Sequence, residues 1–359
     1  MSEQKRPLDG ATVVEAAVDD AELAVRLALG LAGRMAADLG ARVLLLLPAG
    51  GDPLRSEDPV QGGVSALQAF LHAGKHVVEG VGAAALRASL EHSQALLGDA
   101  WAREVAADST DLETIVQIGM LGHEDEARHP ASEFTVLALS GLLDLVGDAM
   151  RAPLRLGGHQ AAYAAGLAAY AALAAGLCTP RAAAPSVARV SLLETALWLN
   201  WKNLATASLG EPPSTRSGQA MAWPVARCAD GWVAVVYQPH EWSRLCEMLG
   251  DARLADPRFQ SPRGRQEHAA DLARLFEEVL APLTRAQVSE LASRHRLPLG
   301  AVLSPAELAE DPQYLARGFL RLVQGADDAP PLHVPRLPVL WGSAGFAPGP
   351  VPASLEDAR

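Results

Sequence analysis

The sequence predicts an α/β protein in which a doubly wound parallel sheet is followed by a smaller α+β lobe. Three observations carry this expectation. The chain opens strand–helix–strand. The run Val43-Leu44-Leu45-Leu46-Leu47 is continuously apolar, as suits a central parallel strand covered on both faces. Near Trp223 the pattern changes from alanine-rich helix to a short hairpin.

The elements follow in order. Ala11–Ala16 is short and β-branched at its centre. Asp19 and Asp20 offer caps for a helix through Ala21–Met35, whose apolar residues recur at helical spacing. Gly40 ends it, and Pro48 with Gly50-Gly51 bounds the apolar strand. Thr114–Ile118 reads as a further strand. One helix is expected from Ala131 to Met150 and a second from Gln160 to Cys178. In the second, the small residues Ala161, Ala165, Ala168, Ala172 and Gly176 permit close backbone approach and deep packing. Ser191 with Glu194 forms a capping-box signature for a third. Val225–Cys228, the Asp230-Gly231 turn and Trp232–Val236 read as a hairpin, followed by helices over Glu241–Leu249, Arg265–Leu280 and Arg285–Arg294. The tail after Ala326 is rich in proline and glycine and is expected to run extended back to the first domain. The expected boundaries are 1–215 for the large domain, 216–310 for the lobe and 311–359 for the returning segment.

Composition narrows the function. Basic residues number 30 and acidic residues 42, a net charge of −12, which repels polyphosphate backbones and argues against nucleic acid as a partner. Cys178, Cys228 and Cys246 form no CxxC pair and suit a reducing compartment. The start lacks an apolar signal core. The run Ala161–Leu177 is mostly alanine and glycine, read as a buried helix rather than a membrane span. A cytoplasmic protein away from membranes is expected.

Several chemistries are weighed on motif and spacing. Dinucleotide binding needs glycines in the first turn, and that turn is Ala17-Val18-Asp19-Asp20, with acids where a pyrophosphate would sit, so no NAD is expected. His123, Glu124, Asp125, Glu126 and His129 read as a solvated acidic loop, there is no HExxH, and no metal is expected. Ser140-Gly141 lacks the first glycine of a nucleophile elbow and reads as a helix-packing pair. Gly50–Arg55 follows the apolar strand and Gly74-Lys75-His76 follows a helix. Such loops are where an α/β sheet holds a charged ligand, which makes Arg55, Lys75 and His76 candidate cofactor contacts.

Taken together, segments along nearly the whole chain resemble the family III CoA-transferases, the CaiB/BaiF family. Pro7-Leu8-Asp9-Gly10, Ala36–Ala41, Gly51-Asp52-Pro53-Leu54-Arg55, Gly74-Lys75 and Ala138-Leu139-Ser140-Gly141 follow the family's motifs in order. So do Ala162–Gly166, Val187–Ala196, Asp230–Ala234, Trp242–Cys246, Asp256–Phe259, Leu297–Gly300 and Asp311–Gly318. The resemblance implies a Rossmann-like large domain, a small lobe and an interlocked dimer. It also implies coenzyme A or an acyl-CoA as ligand, and transfer of CoA between a thioester and a carboxylic acid.

The departures concern catalysis. In the family an aspartate attacks the acyl-CoA, and the matching residue here is Ala162, whose methyl group carries no lone pair. Glu133 and His159 are the outside candidates nearby, His159 being placed about a turn earlier on the helix. The racemase branch uses a His, the same Asp and a Glu, and these positions match Ser132, Ala162 and Gln238. The expectation is therefore a homologue with altered or lost catalysis. It is either an intertwined homodimer or a non-catalytic, structural subunit in a heterodimer with an active paralogue. An acyl-CoA racemase and a simple acyl-CoA-binding protein are the further alternatives.

Overall fold

Short β-branched and leucine-rich runs alternating with helical stretches give the first part of the chain its order. The computed structural model describes residues 5–61, 64–78, 82–109, 111–122, 130–148, 150–180, 184–211, 223–323, 331–341 and 345–352. Two units separate by their internal contacts, one of residues 1–216 with 313–359 and one of residues 217–312.

The first unit runs β1 (Thr12–Ala16), α1 (Leu23–Asp38), β2 (Arg42–Leu46), a small hairpin of β3 (Val60–Gln61) and β4 (Val64–Ser65), α2 (Ala66–His72), β5 (His76–Val78), α3 (Gly82–Leu90), β6 (Ala95–Gly98), α4 (Ala100–Val105) and β7 (Thr114–Gly119). It continues with α5 (Glu133–Leu139), α6 (Gln160–Cys178), β8 (Ser186–Ser191), α7 (Leu192–Leu199) and α8 (Trp201–Ser208). Six parallel strands form one sheet in the order β5-β2-β1-β6-β7-β8, with Val13 beside Val43 on one side and Ala95 on the other. The period of two sends Val13, Val43, Leu97 and Val116 into the core with α1 and α6, and Val14, Leu96 and Ile115 into the core with α3 and α4.

Helix α6 buries Ala161, Ala162, Ala165, Gly166, Ala169 and Leu173 on one side, packed against α1. Close approach is enforced at Gly166, where an added Cβ would stand 2.8 Å from the Ala28 carbonyl oxygen and 3.0 Å from Leu31 Cβ. Ala168 is exposed and Ala172 half-buried, so the packed stripe differs from the one expected. By length and composition α6 is also apolar enough to cross a membrane, but 39% of its apolar window is buried inside this unit.

Other expectations shift for local reasons. The helix expected over Ala131–Met150 is α5 followed by a separate 3-10 turn, Leu142–Leu145, because Gly141 takes the left-handed region at φ 74°. Helix α1 starts after Glu22 with no side-chain cap, so Asp19 and Asp20 do not cap it. Strands β5, β6 and β8 went unforeseen: the first two have three and four residues, and β8, six residues long, mixes its two valines with serine, alanine and arginine. Ser191 caps α7 by accepting the Glu194 amide, one half of the expected capping box.

The second unit pairs β9 (Val225–Cys228) with β10 (Gly231–Ala234) as the expected antiparallel hairpin, and β11 (Gly300–Ala301) adds to β10. Helices α9 (Trp242–Leu249), α10 (Pro262–Glu267), α11 (Ala269–Leu280), α12 (Arg285–His295) and α13 (Pro305–Glu310) complete it. The helix expected over Arg265–Leu280 is thus two, separated at His268. Its core gathers Val233, Leu245 and Phe276, with the Arg265 guanidinium 4.6 Å from the Trp242 ring centroid. After α14 (Pro312–Ala316), β12 (Leu320–Val323) pairs with β13 (Leu332–Pro335). Val323 and Val334 cover Ala73, and the Pro350 carbonyl accepts the Gly74 N–H at 2.7 Å, so the tail belongs to the first unit.

Candidate active site at the start of α6

A helix leaves its first amides without intrahelical acceptors. At α6 the N-cap residue, His159, makes no capping bond with its side chain. The acceptor comes instead from α5, whose own start is fixed by Ser132 accepting the Thr135 amide at 3.3 Å. Glu133, the first residue of α5, accepts the Ala162 N–H on Oε1 at 3.2 Å. On Oε2 it accepts His159 Nδ1 at 2.7 Å and Arg155 Nη2 at 3.0 Å. A carboxylate at a helix N-terminus is stabilised by the aligned peptide dipoles.

Exposure separates these groups. Ala162 is 0% exposed. The Glu133 side chain is 7% exposed and those of His159 and Arg155 are 27% and 40%. Nδ1 and Nη2 both donate to the shared oxygen, so Nδ1 carries a proton, and in the neutral ring the lone pair is on Nε2. Nε2 has no partner among the described residues. Tyr163 meets the imidazole edge-on at 6.4 Å between centroids. Burial first, and the Glu133 charge second, push its hydroxyl pKa above the ordinary phenol range.

The structure therefore brings Ala162, Glu133 and His159 together. His159 sits at the N-cap rather than on the helix, which is what lets its ring reach back to α5. Arg155 was missed by sequence reasoning. It lies in a stretch without periodicity, and its partner is 22 residues away, so no local signal marks it.

The candidate cofactor contacts are dispersed. Lys75 is buried, its Nζ donating to Glu15 Oε2 at 2.6 Å and to the Gly30 carbonyl at 2.9 Å. Burial pulls its pKa down, against the opposing pull of the Glu15 charge. Arg55 is exposed beyond the end of β2, whereas His76 borders a surface basin with Lys5, Arg6 and Arg42 at the start of β2. Asp52 is a structural acid. Its Oδ1 accepts the Leu54 amide at 3.0 Å, and its Oδ2 accepts Gln68 Nε2 at 2.8 Å and lies 3.0 Å from His72 Nε2. Burial alone would raise its pKa, but these neighbours outweigh burial and the net shift is downward.

The turn after β1 is closed by its own partners. Val18 N–H goes to Asp99 Oδ2 at 2.8 Å, and Arg26 Nη2 donates to the Val18 carbonyl at 2.6 Å. Ser140 caps the end of α5, its carbonyl accepting Asn200 Nδ2 at 2.9 Å. Among the described residues no group of three or more His, Cys, Asp or Glu is placed to hold a metal ion. The cluster from His123 to His129 lies outside the described residues.

Comparison with known proteins adds the following. Residues 114–354 match the model of CoA-transferase family III. A succinate–glutarate CoA-transferase of Agrobacterium fabrum is 26% identical over 95% of this chain and 90% of its own length. A formyl-CoA:oxalate CoA-transferase of Streptomyces avermitilis is 33% identical over 132 residues, and one of Streptomyces coelicolor is 35% identical over 111. These two matches span less than a third of the Streptomyces proteins, at 32% and 27%. Among solved structures, a CaiB/BaiF family protein from Brucella suis shares the fold with a TM-score of 0.82 at 23% identity, over 99% of this chain and 98% of that one.

Proposed function

The chain belongs to CoA-transferase family III, and from that premise we propose that it binds an acyl-CoA but has lost the covalent transfer of CoA to a carboxylic acid. Ala162 carries this reading. It holds the position that matches the family's attacking aspartate, and it is a fully buried methyl group. Transfer through an acyl-enzyme needs a carboxylate oxygen that is open to the thioester and has room for the acyl group. The carboxylate nearest to this position by hydrogen bond is Glu133, and it faces inward with three donors on its two oxygens. It serves as a cap rather than an attacking group. The racemase alternative would need bases at Ser132, Ala162 and Gln238, which are a capping hydroxyl, a methyl and an amide.

The remaining parts of the reading rest on the family. The sheet order supports a Rossmann-like large domain. Small carboxylates such as oxalate, succinate and glutarate in the relatives' names support a short acyl group. Arg55 and His76 are exposed at opposite ends of β2, so they do not share one CoA phosphate, whereas Lys75 would contribute only by leaving Glu15. Uncovered Trp198, Leu199, Trp201, Leu204 and Leu209 on and beside α7 and α8 support an interlocked dimer, either with a second copy or with an active paralogue. The three thiols are unpaired, which suits the cytoplasm.

The test incubates the purified chain with a panel of acyl-CoAs and carboxylic acids and follows label exchange into new thioesters. Hydroxylamine is then added to trap any acyl adduct. Binding without exchange or adduct is expected. Sustained exchange, or an adduct on Glu133, refutes the loss of transfer.

A further inference from the structure

The start of α6 holds more than a cap requires. Satisfying the Ala162 amide takes one carboxylate oxygen, yet a half-open imidazole and a guanidinium also converge on Glu133. We propose that Glu133, His159 and Arg155 form a hydrolytic centre that turns water against the thioester of a bound acyl-CoA, so that the chain is an acyl-CoA hydrolase. This rests on the acyl-CoA reading above and names what replaces transfer at the same site.

An imidazole acts as a general base when one nitrogen is held in the protonated form and the other keeps its lone pair toward solvent. Glu133 Oε2, 2.7 Å from Nδ1, fixes that tautomer. The exposures of 7% for Glu133 and 27% for His159 place the acid behind the ring and the ring toward water. Glu133 is thereby a positioning residue, and His159 is the group that touches the reacting water. Arg155 is permanently charged, and its Nη2 donates to the same Glu133 Oε2 at 3.0 Å, so it helps hold that carboxylate in place behind the ring. With a methyl at Ala162, no side chain there competes with water for the acyl group.

The step balances with water as the second reactant. Nε2 takes a proton from water as the water oxygen bonds the thioester carbonyl carbon. Collapse of the tetrahedral adduct breaks the C–S bond, and the sulfur leaves with the proton held on Nε2. Acyl-CoA and water give a carboxylic acid and the CoA thiol, with no oxidation or reduction.

The test uses the full chain with acetyl-CoA or succinyl-CoA and no acceptor acid, following free thiol with a chromogenic reagent. Binding of a non-hydrolysable thioether analogue of acetyl-CoA is measured in parallel by calorimetry. Thiol release above the buffer rate is expected, with one oxygen of the product acid coming from labelled water. His159→Ala, or His159→Gln if the first variant is unstable, lowers kcat about 100-fold or more while the analogue binds as before. Glu133→Gln lowers kcat while KM and analogue binding stay at the parent values, a split that mere loss of a cap would not produce. Hydrolysis is overturned if the analogue binds but thiol release stays at the buffer rate, or if the His159 variants hydrolyse at the parent rate. Failure of the analogue to bind overturns the acyl-CoA reading and takes the hydrolase with it.

Discussion

An acid introduced at Ala162, at the start of α6, should damage the protein unless Glu133 is neutralised with it. In Ala162→Asp the new carboxyl replaces a fully buried methyl, and the Glu133 carboxylate already lies 3.2 Å from that residue's amide nitrogen. Two carboxylates about 4 Å apart repel by about 4 kcal/mol at an effective dielectric of about 20. The new acid relieves part of this by staying protonated, so its folded pKa rises above the unfolded value. A raised folded pKa means that the native state holds the proton more tightly, so Ala162→Asp loses stability as pH rises from about 4 through that raised value. Urea unfolding of the parent, Ala162→Asp, Glu133→Gln and the double variant forms a cycle. The double variant should recover about 2 kcal/mol or more relative to the sum of the single changes. It is also the background in which transfer activity should be sought. Additive costs within about 0.5 kcal/mol, or Ala162→Asp as stable as the parent at pH 8, would refute the placement of Glu133 against Ala162.

Three further outcomes follow from the packing and charges. Gly166→Ala pushes a methyl against the Ala28 carbonyl and Leu31, and thermal unfolding should show a loss of about 1–3 kcal/mol. Lys75→Met leaves Glu15 buried without its partner and should cost about 3–5 kcal/mol in denaturant unfolding, with most of that recovered when Glu15→Leu is added. In the second unit, hydrogen bonds from Arg285, then from the Ser304 amide, hold the Glu307 carboxyl at about 2 instead of the ordinary 4.5. Because the folded pKa is depressed, the stabilisation is present above pH 4.5 and lost as pH falls through about 2, and a carboxyl NMR titration should place the midpoint there. Arg285→Ala should return that midpoint toward 4.5.

Much of the architecture was legible because it is written in neighbouring residues. The β-branched run of β1, the leucines of β2, the Ser191 cap and the Asp230-Gly231 turn each act within a few positions of themselves. The errors cluster where a local signal was overruled. Gly141 stopped α5 early, and Arg26 took the carbonyls of the turn where Asp19 and Asp20 looked like caps. Short strands such as His76–Val78 are recruited by pairing with a neighbour, so their own three residues cannot announce them.

At the site, the order of residues settled what the position of Ala162 cannot do, since a methyl group lacks a nucleophilic electron pair in any fold. Folding decided what surrounds that methyl. Glu133 reaches it from 29 residues away, and His159 turns its ring to the same carboxylate from 26 residues away. Lys75 is drawn under α1 to meet Glu15 across 60 residues. Such pairings depend on how distant segments close against one another, which is a property of the packed chain. Periodicity and caps are local and can be read along a line, whereas the partner of a buried charge exists only in three dimensions.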